Sequence, residues 1–526
     1  MPGNSNYVPR LLPLRLPRVC VAIMASTAAD MLDKAEAIVR DNPLIELRLD
    51  FIRQPTSAFQ KLRRFTDYHP EALVIATCRR TGHGGQFRGS LAAQIEILVK
   101  AAASGAQLVD LELESAATLK SKDQDRLRAA AAIILSFHDF HQTRRLDETL
   151  QRMTAFPADF YKVVSTAKSL YDNVIMMKFL ERHRDKHALI GLCMGEQGII
   201  SRVLCLRAGS AFTFASAGPG EETAPGQIAA RTLRDVYRID QVDAATKVYG
   251  VAGDPVAHSL SPLMMNAAFR RENVNAVYLT LHATKLSDLL ACVRDIPLHG
   301  LSITMPYKQQ IIEYLDNTDA LTEKVGACNT VIRAQDGKLY GYNTDVAGVV
   351  RPLEQRLHLS RAKVLVIGAG GAARAAVFGL KERGAEVFIM NRTPSSGLKL
   401  ARQARAKFLK RSQLRGLQFD VIINATPVGM NGARVSPLNE NELNARTLYE
   451  MVYTPAETRL VKMARAKGIQ VITGAEMFVQ QGARQFEIWT GKPAPVDEMY
   501  RVVMTALHAR ASNSNTKQSS PELAAS

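Results

Sequence analysis

The sequence lacks the features that several classes of protein require. Its six cysteines are scattered singly along 526 residues, with no CxxC pair and no grouping with histidines. A disulfide framework or a zinc site needs tighter grouping, so we expect reduced thiols, a cytoplasmic location and no metal site. No apolar run approaches the roughly 20 residues that span a bilayer, so we expect no membrane partner.

Signals for nucleic-acid binding and for export are missing as well. The formal net charge is +17, but Lys and Arg are spread along the chain without a helix-turn-helix, zinc-finger or RNP signature. A basic protein with anionic substrates accounts for this charge, so we expect no nucleic-acid partner; a basic nucleic-acid binder is the alternative. The first 18 residues contain several prolines and fit neither a signal peptide nor a long transit peptide.

Length and composition favour a globular protein of two domains. A chain of 526 residues with 47% hydrophobic and 22% charged residues is too long for one ordinary core. The strand and helix pattern changes around residues 240–247, where we place the main boundary. The predicted bounds are 1–18 for an N-terminal extension, 19–243 for the first domain, 244–345 and 346–510 for two lobes of the second, and 511–526 for a disordered tail.

In the first domain, strands are predicted to alternate with helices such as Ala28–Val39 and Ala92–Ala103. The strand candidates are Val19–Ala25, Leu44–Leu49, Ala72–Cys78, Gln107–Leu113, Ala131–Phe137, Asp159–Val164, Ala188–Cys193 and Ala211–Ala215. Eight strands with intervening helices predict an α/β fold of the (β/α)8 barrel type. The chemistry of such barrels lies at the carboxyl ends of the strands.

Charged and polar residues lie in or just after several of these strands. They are Glu46, Arg48, Asp50, Arg79, Asp110, Glu112, His138 and Lys162. A single charge near a strand end usually fills the barrel or caps a helix. Charges at successive strand ends instead predict a catalytic site.

The last lobe opens with a glycine turn typical of dinucleotide binding. The apolar strand Val364–Ile367 runs into GAGGAAR (Gly368–Arg374) and then into an alanine-rich helix. Glycines there let the backbone approach a pyrophosphate, and the helix N-terminus supplies N–H donors. A turn that merely packs helix on strand is the alternative. We predict a Rossmann lobe with a nucleotide cofactor.

The next strand, Glu386–Met390, indicates which nucleotide is bound. It ends in Asn391-Arg392-Thr393, whereas a carboxylate there would hold the ribose 2′-hydroxyl of NAD. An arginine offers a planar fork to a 2′-phosphate. The sequence therefore predicts NADP.

Ordered motifs in the first half resemble type I 3-dehydroquinate dehydratase. They are ELRLD (Glu46–Asp50), TCR (Thr77–Arg79), SFHDF (Ser136–Phe140), Tyr161-Lys162, MGxxGxxSR (Met194–Arg202) and APGQ (Ala224–Gln227). The resemblance implies that Lys162 forms a Schiff base with the substrate ketone, that His138 is the general base and later acid, and that Glu46 orients His138. It also implies the substrate-binding residues Arg48, Arg79, Arg202, Thr223 and Gln227.

Motifs in the second half resemble shikimate dehydrogenase. They are HSLSP (His258–Pro262), SITMPYK (Ser302–Lys308), GACNT (Gly326–Thr330), YNTD (Tyr342–Asp345), GAGGAAR, NRT, NATPVGM (Asn424–Met430), VYTPAET (Val452–Thr458) and QQGARQFEIWTG (Gln480–Gly491). A dehydratase followed by a dehydrogenase is similar to the bifunctional fusion found in plants and some bacteria.

This second resemblance implies a catalytic pair, Lys308 and Asp345, which exchanges the proton of the reacting hydroxyl. The implied substrate-binding residues are Ser259, Ser261 and Tyr453 at the carboxylate and Thr304, Asn329 and Gln481 at the ring hydroxyls. The implied cofactor-binding residues are Gly368, Gly370, Gly371, Ala372, Asn391, Arg392, Thr393, Thr426, Met430 and Gly474.

Two positions depart from the family patterns. His83 stands in His83-Gly84-Gly85, where the dehydratases usually have a glutamate before two glycines. This puts the substrate contacts at that point in doubt. Glu450 stands where the dehydrogenases commonly have aspartate, which is a conservative change.

Together the resemblances imply a bifunctional enzyme with a (β/α)8 barrel followed by a two-lobed dehydrogenase. The barrel is expected to dehydrate 3-dehydroquinate to 3-dehydroshikimate, which the second domain reduces to shikimate with NADPH. One alternative is a quinate/shikimate dehydrogenase that prefers NAD. Another is a metabolite-sensing regulator without catalysis.

Overall fold

The computed structural model describes residues 16–296, 298–430, 435–455 and 457–518. The chain divides into two compact units, one of Met1–Lys247 with Thr280–Pro297 and one of Val248–Leu279 with Leu298–Ser526. The segment Thr280–Pro297, which the sequence assigns to the second domain, is thus grouped with the first unit. Within the described ranges, every helix is too short or too polar to cross a membrane.

The first unit contains a curled parallel sheet of eight strands. They are β1 (Val19–Ile23), β2 (Leu44–Arg48), β3 (Leu73–Thr77), β4 (Leu108–Glu112), β5 (Ala132–His138), β6 (Phe160–Thr166), β7 (Leu189–Met194) and β8 (Thr213–Ser216). The strand order is β7-β6-β5-β4-β3-β2-β1-β8, and a bridge between Leu189 and Ser210 brings the two edges together. Each predicted strand overlaps an observed one, which confirms the predicted barrel.

Helices connect these strands as the alternating pattern requires. They are α1 (Ala28–Ile38), α2 (Phe59–Tyr68), α3 (Leu91–Ala103), α4 (Leu113–Ala116), α5 (Ser121–Ala130), α6 (Leu146–Met153), α7 (Tyr171–His183), α8 (Ile199–Ala208) and α9 (Ala230–Asp235). Thr27 and Ser90 begin α1 and α3 as N-caps, because their hydroxyls accept hydrogen bonds from Asp30 N and Ala93 N.

A mixed sheet and a parallel sheet follow. The mixed sheet has the order β10-β9-β11-β13-β14-β12 and the parallel one the order β17-β16-β15-β18-β19-β20. The strands of the mixed sheet are β9 (Lys247–Gly253), β10 (Ala276–His282), β11 (Leu298–Ile303), β12 (Asn317–Thr318), β13 (Thr330–Arg333) and β14 (Leu339–Tyr342). Those of the parallel sheet are β15 (Lys363–Ile367), β16 (Glu386–Met390), β17 (Lys407–Phe408), β18 (Phe419–Asn424), β19 (Ala445–Glu450) and β20 (Gln470–Ile472). The parallel sheet confirms the predicted Rossmann lobe.

The helices that accompany these two sheets complete the fold. They are α10 (Ser261–Arg271), α11 (Leu286–Asp295), α12 (Ala320–Val325), α13 (Asp345–Glu354), α14 (Gly371–Glu382), α15 (Pro394–Ala404), α16 (Arg459–Ala466), α17 (Gly474–Thr490) and α18 (Val496–Gln518). Thr473 and Glu476 form a capping box at the start of α17.

The last helix differs from the expectation of a disordered tail from residue 511. Helix α18 continues through residues 511–518, and residues 519–526 lie outside the described residues. Met499, Val503 and Leu507 are buried and fix the first turns of this helix. Adding turns to an existing helix costs far less than nucleating one, so polar residues can continue it.

Candidate active sites

Side chains alternate between the two faces along each barrel strand, and this alternation places several polar side chains inside the barrel. Phe160 and Val164 belong to the apolar cluster inside the barrel, so Lys162 between them faces the same interior. By the same alternation, Asp110 shares a face with the cluster residue Leu108. An amine and a carboxylate are thereby brought together from two different strands.

The Lys162 amine is almost fully enclosed, since only 4% of the residue is exposed. Its Nζ lies 3.1 Å from Asp110 Oδ2 and 3.7 Å from Glu46 Oε1. It also stands 3.9 Å from the centroid of the Phe214 ring. A buried amine among these partners is shielded from water and held in one place.

Asp110 and Arg79 connect this amine to the imidazole of His138. Asp110 Oδ1 accepts hydrogen bonds from Arg79 Nη2 and Ser136 Oγ, both at 2.7 Å. Burial alone raises the pKa of Asp110, but Arg79 and Lys162 outweigh it and hold that pKa far below its ordinary value. Asp110 is therefore a carboxylate shared between two cations.

His138 is neutral at neutral pH in this environment. Burial is the main cause that lowers the pKa of His138 well below 6.5, and the charges of Arg79 and Lys162 lower it further. Arg79 Nη1 lies 3.0 Å from His138 Nε2. Because a guanidinium has no acceptor, His138 Nε2 accepts this hydrogen bond.

An open cleft of about 530 Å³ gives access to these groups. Arg202 lines it with only 1% of the residue exposed, and its Nη2 donates to Pro225 O at 3.1 Å. Burial lowers the pKa of Arg202 to about 10. No carboxylate pairs with Arg202 among the residues that the structure describes, so this cation can hold an anionic group of a ligand.

The other predicted cleft residues occupy different positions around it. Arg48 donates two hydrogen bonds to the Asp50 carboxylate, from Nε to Oδ1 at 2.9 Å and from Nη2 to Oδ2 at 2.8 Å. Thr223 N and Thr223 Oγ1 both donate to Gln227 Oε1, at 2.6 and 3.1 Å, which fixes the segment at the cleft mouth.

The contacts of Glu46 and His83 differ from the sequence picture. In the described parts of the chain Glu46 makes no hydrogen bond to His138; its Oε1 accepts from Thr77 Oγ1 at 2.7 Å. His83 Nδ1 lies 3.8 Å from Glu114 Oε2, and both side chains are partly exposed. The expected orientation of His138 by Glu46 is thus replaced in this structure by contact with Arg79.

In the second unit the predicted catalytic pair is in direct contact. Lys308 Nζ lies 2.6 Å from Asp345 Oδ2, and Asn329 Nδ2 donates to Asp345 Oδ1 at 2.7 Å. Asp345 is the first residue of α13, and Asn329 immediately precedes β13. Three predicted residues from separate motifs thus form one cluster.

Gln485 of α17, a residue without a predicted role, hydrogen-bonds to this cluster and to residues next to it. Its Oε1 accepts from Ser302 Oγ at 2.8 Å, and its Nε2 donates to Asn329 O at 3.2 Å and to Thr330 Oγ1 at 3.0 Å. Both Gln481 and Gln485 lie in the quoted closing motif, and only the fold distinguishes them. Gln481 Nε2 donates to Phe478 O at 3.0 Å.

The remaining residues that were predicted to bind substrate lie elsewhere in this unit. Ser259 Oγ lies 3.1 Å from Ser261 Oγ, and the Tyr453 ring stacks on Phe478 with centroids 5.5 Å apart. The Thr304 methyl would be 2.4 Å from a Cβ on Gly253, so the two residues pack tightly.

The glycine turn leaves room for a cofactor backbone contact. Gly368 has a φ of +121°, and a Cβ there would be 2.9 Å from Ala425 O, so glycine is required. A Cβ on Gly370 or Gly371 would meet nothing within 4 Å. The N-terminus of α14 therefore faces open space that suits a pyrophosphate.

The other predicted cofactor residues lie near the ends of the neighbouring strands. Asn391 Nδ2 donates to Thr393 O at 2.9 Å, and Arg392 between them is exposed. Thr426 Oγ1 donates to Asn424 Oδ1 at 2.7 Å. Met430 is 45% exposed. An exposed arginine beside the turn suits a phosphate-bearing ribose.

Glu450 binds together two loops at this edge of the sheet. Its carboxylate accepts from Asn424 Nδ2 at 2.8 Å, Val452 N at 3.0 Å and Thr458 Oγ1 at 2.9 Å. Burial raises the pKa of Glu450 to about 7. Both oxygens of this longer side chain therefore have hydrogen-bond partners, at the position where the dehydrogenase motif commonly has aspartate.

Three residues take part in the barrel site although the sequence analysis gave them no role: Asp110, Phe140 and Phe214. Asp110 was visible as a carboxylate inside an apolar strand, and its alternation with Leu108 was the available signal. Phe214, under the amine, and Phe140, stacked 6.1 Å from His138, carry no such signal. Within the described residues, no group of three or more His, Cys, Asp or Glu is arranged to hold a metal ion.

Four family models match the chain. Type I 3-dehydroquinase matches residues 19–244, and the shikimate dehydrogenase substrate binding domain matches residues 251–331. The shikimate/quinate 5-dehydrogenase model matches residues 352–438, and the shikimate 5′-dehydrogenase C-terminal domain matches residues 474–504. The matches follow one another in the order of the two sites.

Known proteins are similar over most of the chain or over its second half. The bifunctional 3-dehydroquinate dehydratase/shikimate dehydrogenase of Arabidopsis thaliana, a chloroplastic protein, is 33% identical over 93% of this chain and 84% of its own length. The shikimate dehydrogenase (NADP(+)) of Pyrococcus furiosus is 36% identical over 51% of this chain and 99% of its own. The shikimate 5-dehydrogenase of Thermus thermophilus, solved with NADP(H) and shikimate, is 34% identical over 50% of this chain and 100% of its own, with a TM-score of 0.47.

Proposed function

The chain belongs to the family of bifunctional 3-dehydroquinate dehydratase/shikimate dehydrogenases, and from this premise we propose how its residues divide the work. The barrel dehydrates 3-dehydroquinate to 3-dehydroshikimate. The second unit reduces that ketone to shikimate with NADPH. The substrates are small carboxylate anions, which suits the net charge of +17.

In the barrel, the Lys162 amine attacks the substrate ketone, and water leaves to form an iminium. The iminium accepts the electron pair released when His138 removes the proton beside it. The β-hydroxyl then leaves as water with a proton from His138, and hydrolysis frees Lys162. Arg202, which pairs with no carboxylate among the described residues, holds the substrate carboxylate.

The observation that carries this proposal is the enclosed Lys162 amine, 3.1 Å from Asp110 and linked through Arg79 to His138. Incubation with 3-dehydroquinate and borohydride should reduce the imine and leave a stable adduct on the Lys162 peptide, seen by mass spectrometry. A Lys162→Ala variant should lose dehydration by about 10³-fold or more yet still reduce supplied 3-dehydroshikimate.

The exposed Lys61 provides the matched control, because a Lys61→Ala variant should keep both reactions and the adduct. An adduct on another peptide, or a Lys162→Ala variant that dehydrates normally, would refute the proposed nucleophile.

In the second unit, Lys308 and Asp345 flank the reacting oxygen and move its proton. Their 2.6 Å contact lets the pair share one proton, and Asn329 fixes the carboxylate. NADPH supplies the hydride when it is bound. Gly370, Gly371 and the N-terminus of α14 would hold its pyrophosphate, and Arg392 its 2′-phosphate.

Location and domain bounds are part of the same proposal. All six cysteines are free and buried, which suits a reducing cytoplasm. We keep 19–243, 244–345 and 346–510 as the dehydratase, the substrate lobe and the cofactor lobe. Cell fractionation and limited proteolysis would test these two points.

A further inference from the structure

The last helix brings a cation to the loop that precedes α10. Arg510 of α18 donates from its Nη2 to His258 O at 3.0 Å. His258 directly precedes Ser259, whose hydroxyl lies 3.1 Å from that of Ser261. The two ends of this contact are 252 residues apart in sequence, so the fold alone brings them together.

Arg510 also lies close enough to Tyr453 to act on its hydroxyl. Burial raises the pKa of Tyr453, and the positive charge of Arg510 opposes that rise. The Tyr453 ring is held against Phe478. Arg510 therefore contacts the loop of Ser259 and acts electrostatically on Tyr453, the two places to which the resemblance to shikimate dehydrogenase assigns the substrate carboxylate.

Within the residues that the structure describes, the charge of Arg510 is not offset by a paired carboxylate. In the described parts of the chain no carboxylate pairs with Arg510, and its side chain is exposed. The three hydroxyls assigned to the substrate carboxylate are neutral donors. A carboxylate binds hydroxyls better when a guanidinium stands nearby to offset its charge.

We propose that Arg510 is a substrate-binding residue of the dehydrogenase and that it attracts the carboxylate of the ring substrate. This inference rests on the proposed function of the second unit. The backbone contact to His258 O aims the guanidinium, and its remaining N–H groups are available to a carboxylate. Nothing in the sequence motifs assigns this role to the last helix.

The test is steady-state kinetics of the full chain with shikimate and NADP⁺. An Arg510→Gln variant should raise the KM for shikimate about fivefold with unchanged kcat and unchanged KM for NADP⁺. An Arg510→Lys variant should keep most of the affinity. Raising the ionic strength should lower kcat/KM less in Arg510→Gln than in the wild type, because the attracting charge is gone.

Arg501 on the same helix is the matched control, since it is exposed and paired with Glu498 at 2.7 Å. An Arg501→Gln variant should keep the wild-type KM. The methyl ester of shikimate, which lacks the negative charge, should bind wild type and Arg510→Gln equally well. This result separates a charge effect from a loss of structure.

Equal KM values for shikimate in Arg510→Gln and Arg501→Gln would overturn the inference while leaving the proposed function intact. A parallel rise in the KM for NADP⁺ and for the ester would overturn it too, by showing a structural role. A wild-type protein that oxidises no shikimate would instead refute the proposed function, and this inference with it.

Discussion

At the scale of single residues, the barrel site places two carboxylates and an arginine around the amine that forms the Schiff base. The attacking amine must be neutral, and two carboxylates lie close to it, Asp110 at 3.1 Å and Glu46 at 3.7 Å. Arg79 lies 2.7 Å from Asp110 and takes up part of that negative charge. The amine is otherwise buried, and the Phe214 ring lies against it.

The same environment predicts the pH dependence of dehydration. The pKa of His138 is lowered well below 6.5 by burial and by Arg79 and Lys162. The free enzyme therefore keeps a neutral base at mildly acidic pH, and we expect the acid limb of kcat/KM for dehydration to lie below pH 6.5.

Linkage gives a second readout of this depressed pKa. Unfolded His138 binds a proton near pH 6.5 and folded His138 does not, so its contribution to stability is present above that pH and lost as pH falls below it. A His138→Gln variant should lose dehydration and this part of the acid sensitivity. The exposed neighbour His141 is the control, because a His141→Gln variant should change neither.

At the scale of elements, glycines have two different roles in the cofactor lobe. Gly370 precedes α14 with an ordinary φ of −79° and open space around it. Gly474 begins α17, and a Cβ there would lie 2.5 Å from Met451 O. The first glycine leaves room for a ligand, and the second lets a helix approach a loop.

Alanine substitutions should distinguish these two roles. Gly370→Ala should leave the free energy of unfolding unchanged but raise the KM for NADPH about tenfold, because the new methyl occupies the open space. Gly474→Ala should lower the free energy of unfolding by about 1–3 kcal/mol, because main-chain atoms must shift. Urea unfolding and dehydrogenase kinetics measure the two effects.

Each of these variants is the control for the other. A Gly370→Ala protein that unfolds early would show that the turn is structural. A Gly474→Ala protein of wild-type stability would show that the loop at Met451 yields freely.

At the scale of the whole molecule, the two proposed sites are built from residues of different compact units. Lys162 and its partners come from strands of the barrel, and the Lys308–Asp345 pair comes from elements after β11. Neither described cluster includes a residue of the other. Fusion then supplies a shared local concentration of the intermediate.

This separation predicts that the two reactions can be divided between chains. An equimolar mixture of Lys162→Ala and Asp345→Asn proteins should convert 3-dehydroquinate to shikimate with NADPH after a lag, since 3-dehydroshikimate must pass through solvent. Following NADPH absorbance against the wild type and against each variant alone measures this. A mixture as inactive as its separate components would show that each chain needs both sites intact.

The sequence alone located the strands and the glycine turn, and it predicted the catalytic residues that the proposed function uses. The alternation in LVDLE and FYKVVST and the run from Val364 to Gly371 are local patterns, set by strand period and backbone freedom. Lys162, Lys308 and Asp345 were predicted because they stand in short motifs that resemble those of the two enzyme families.

The tertiary structure decided which side chains meet. Three contacts join residues that lie far apart in sequence. His138 contacts Arg79 instead of Glu46, Gln485 hydrogen-bonds to Asn329, and Arg510 hydrogen-bonds to His258. Such contacts depend on the packing of whole strands and helices, on which no short sequence pattern reports. The same packing, at Met499, Val503 and Leu507, fixed a last helix that composition alone assigned in part to a disordered tail.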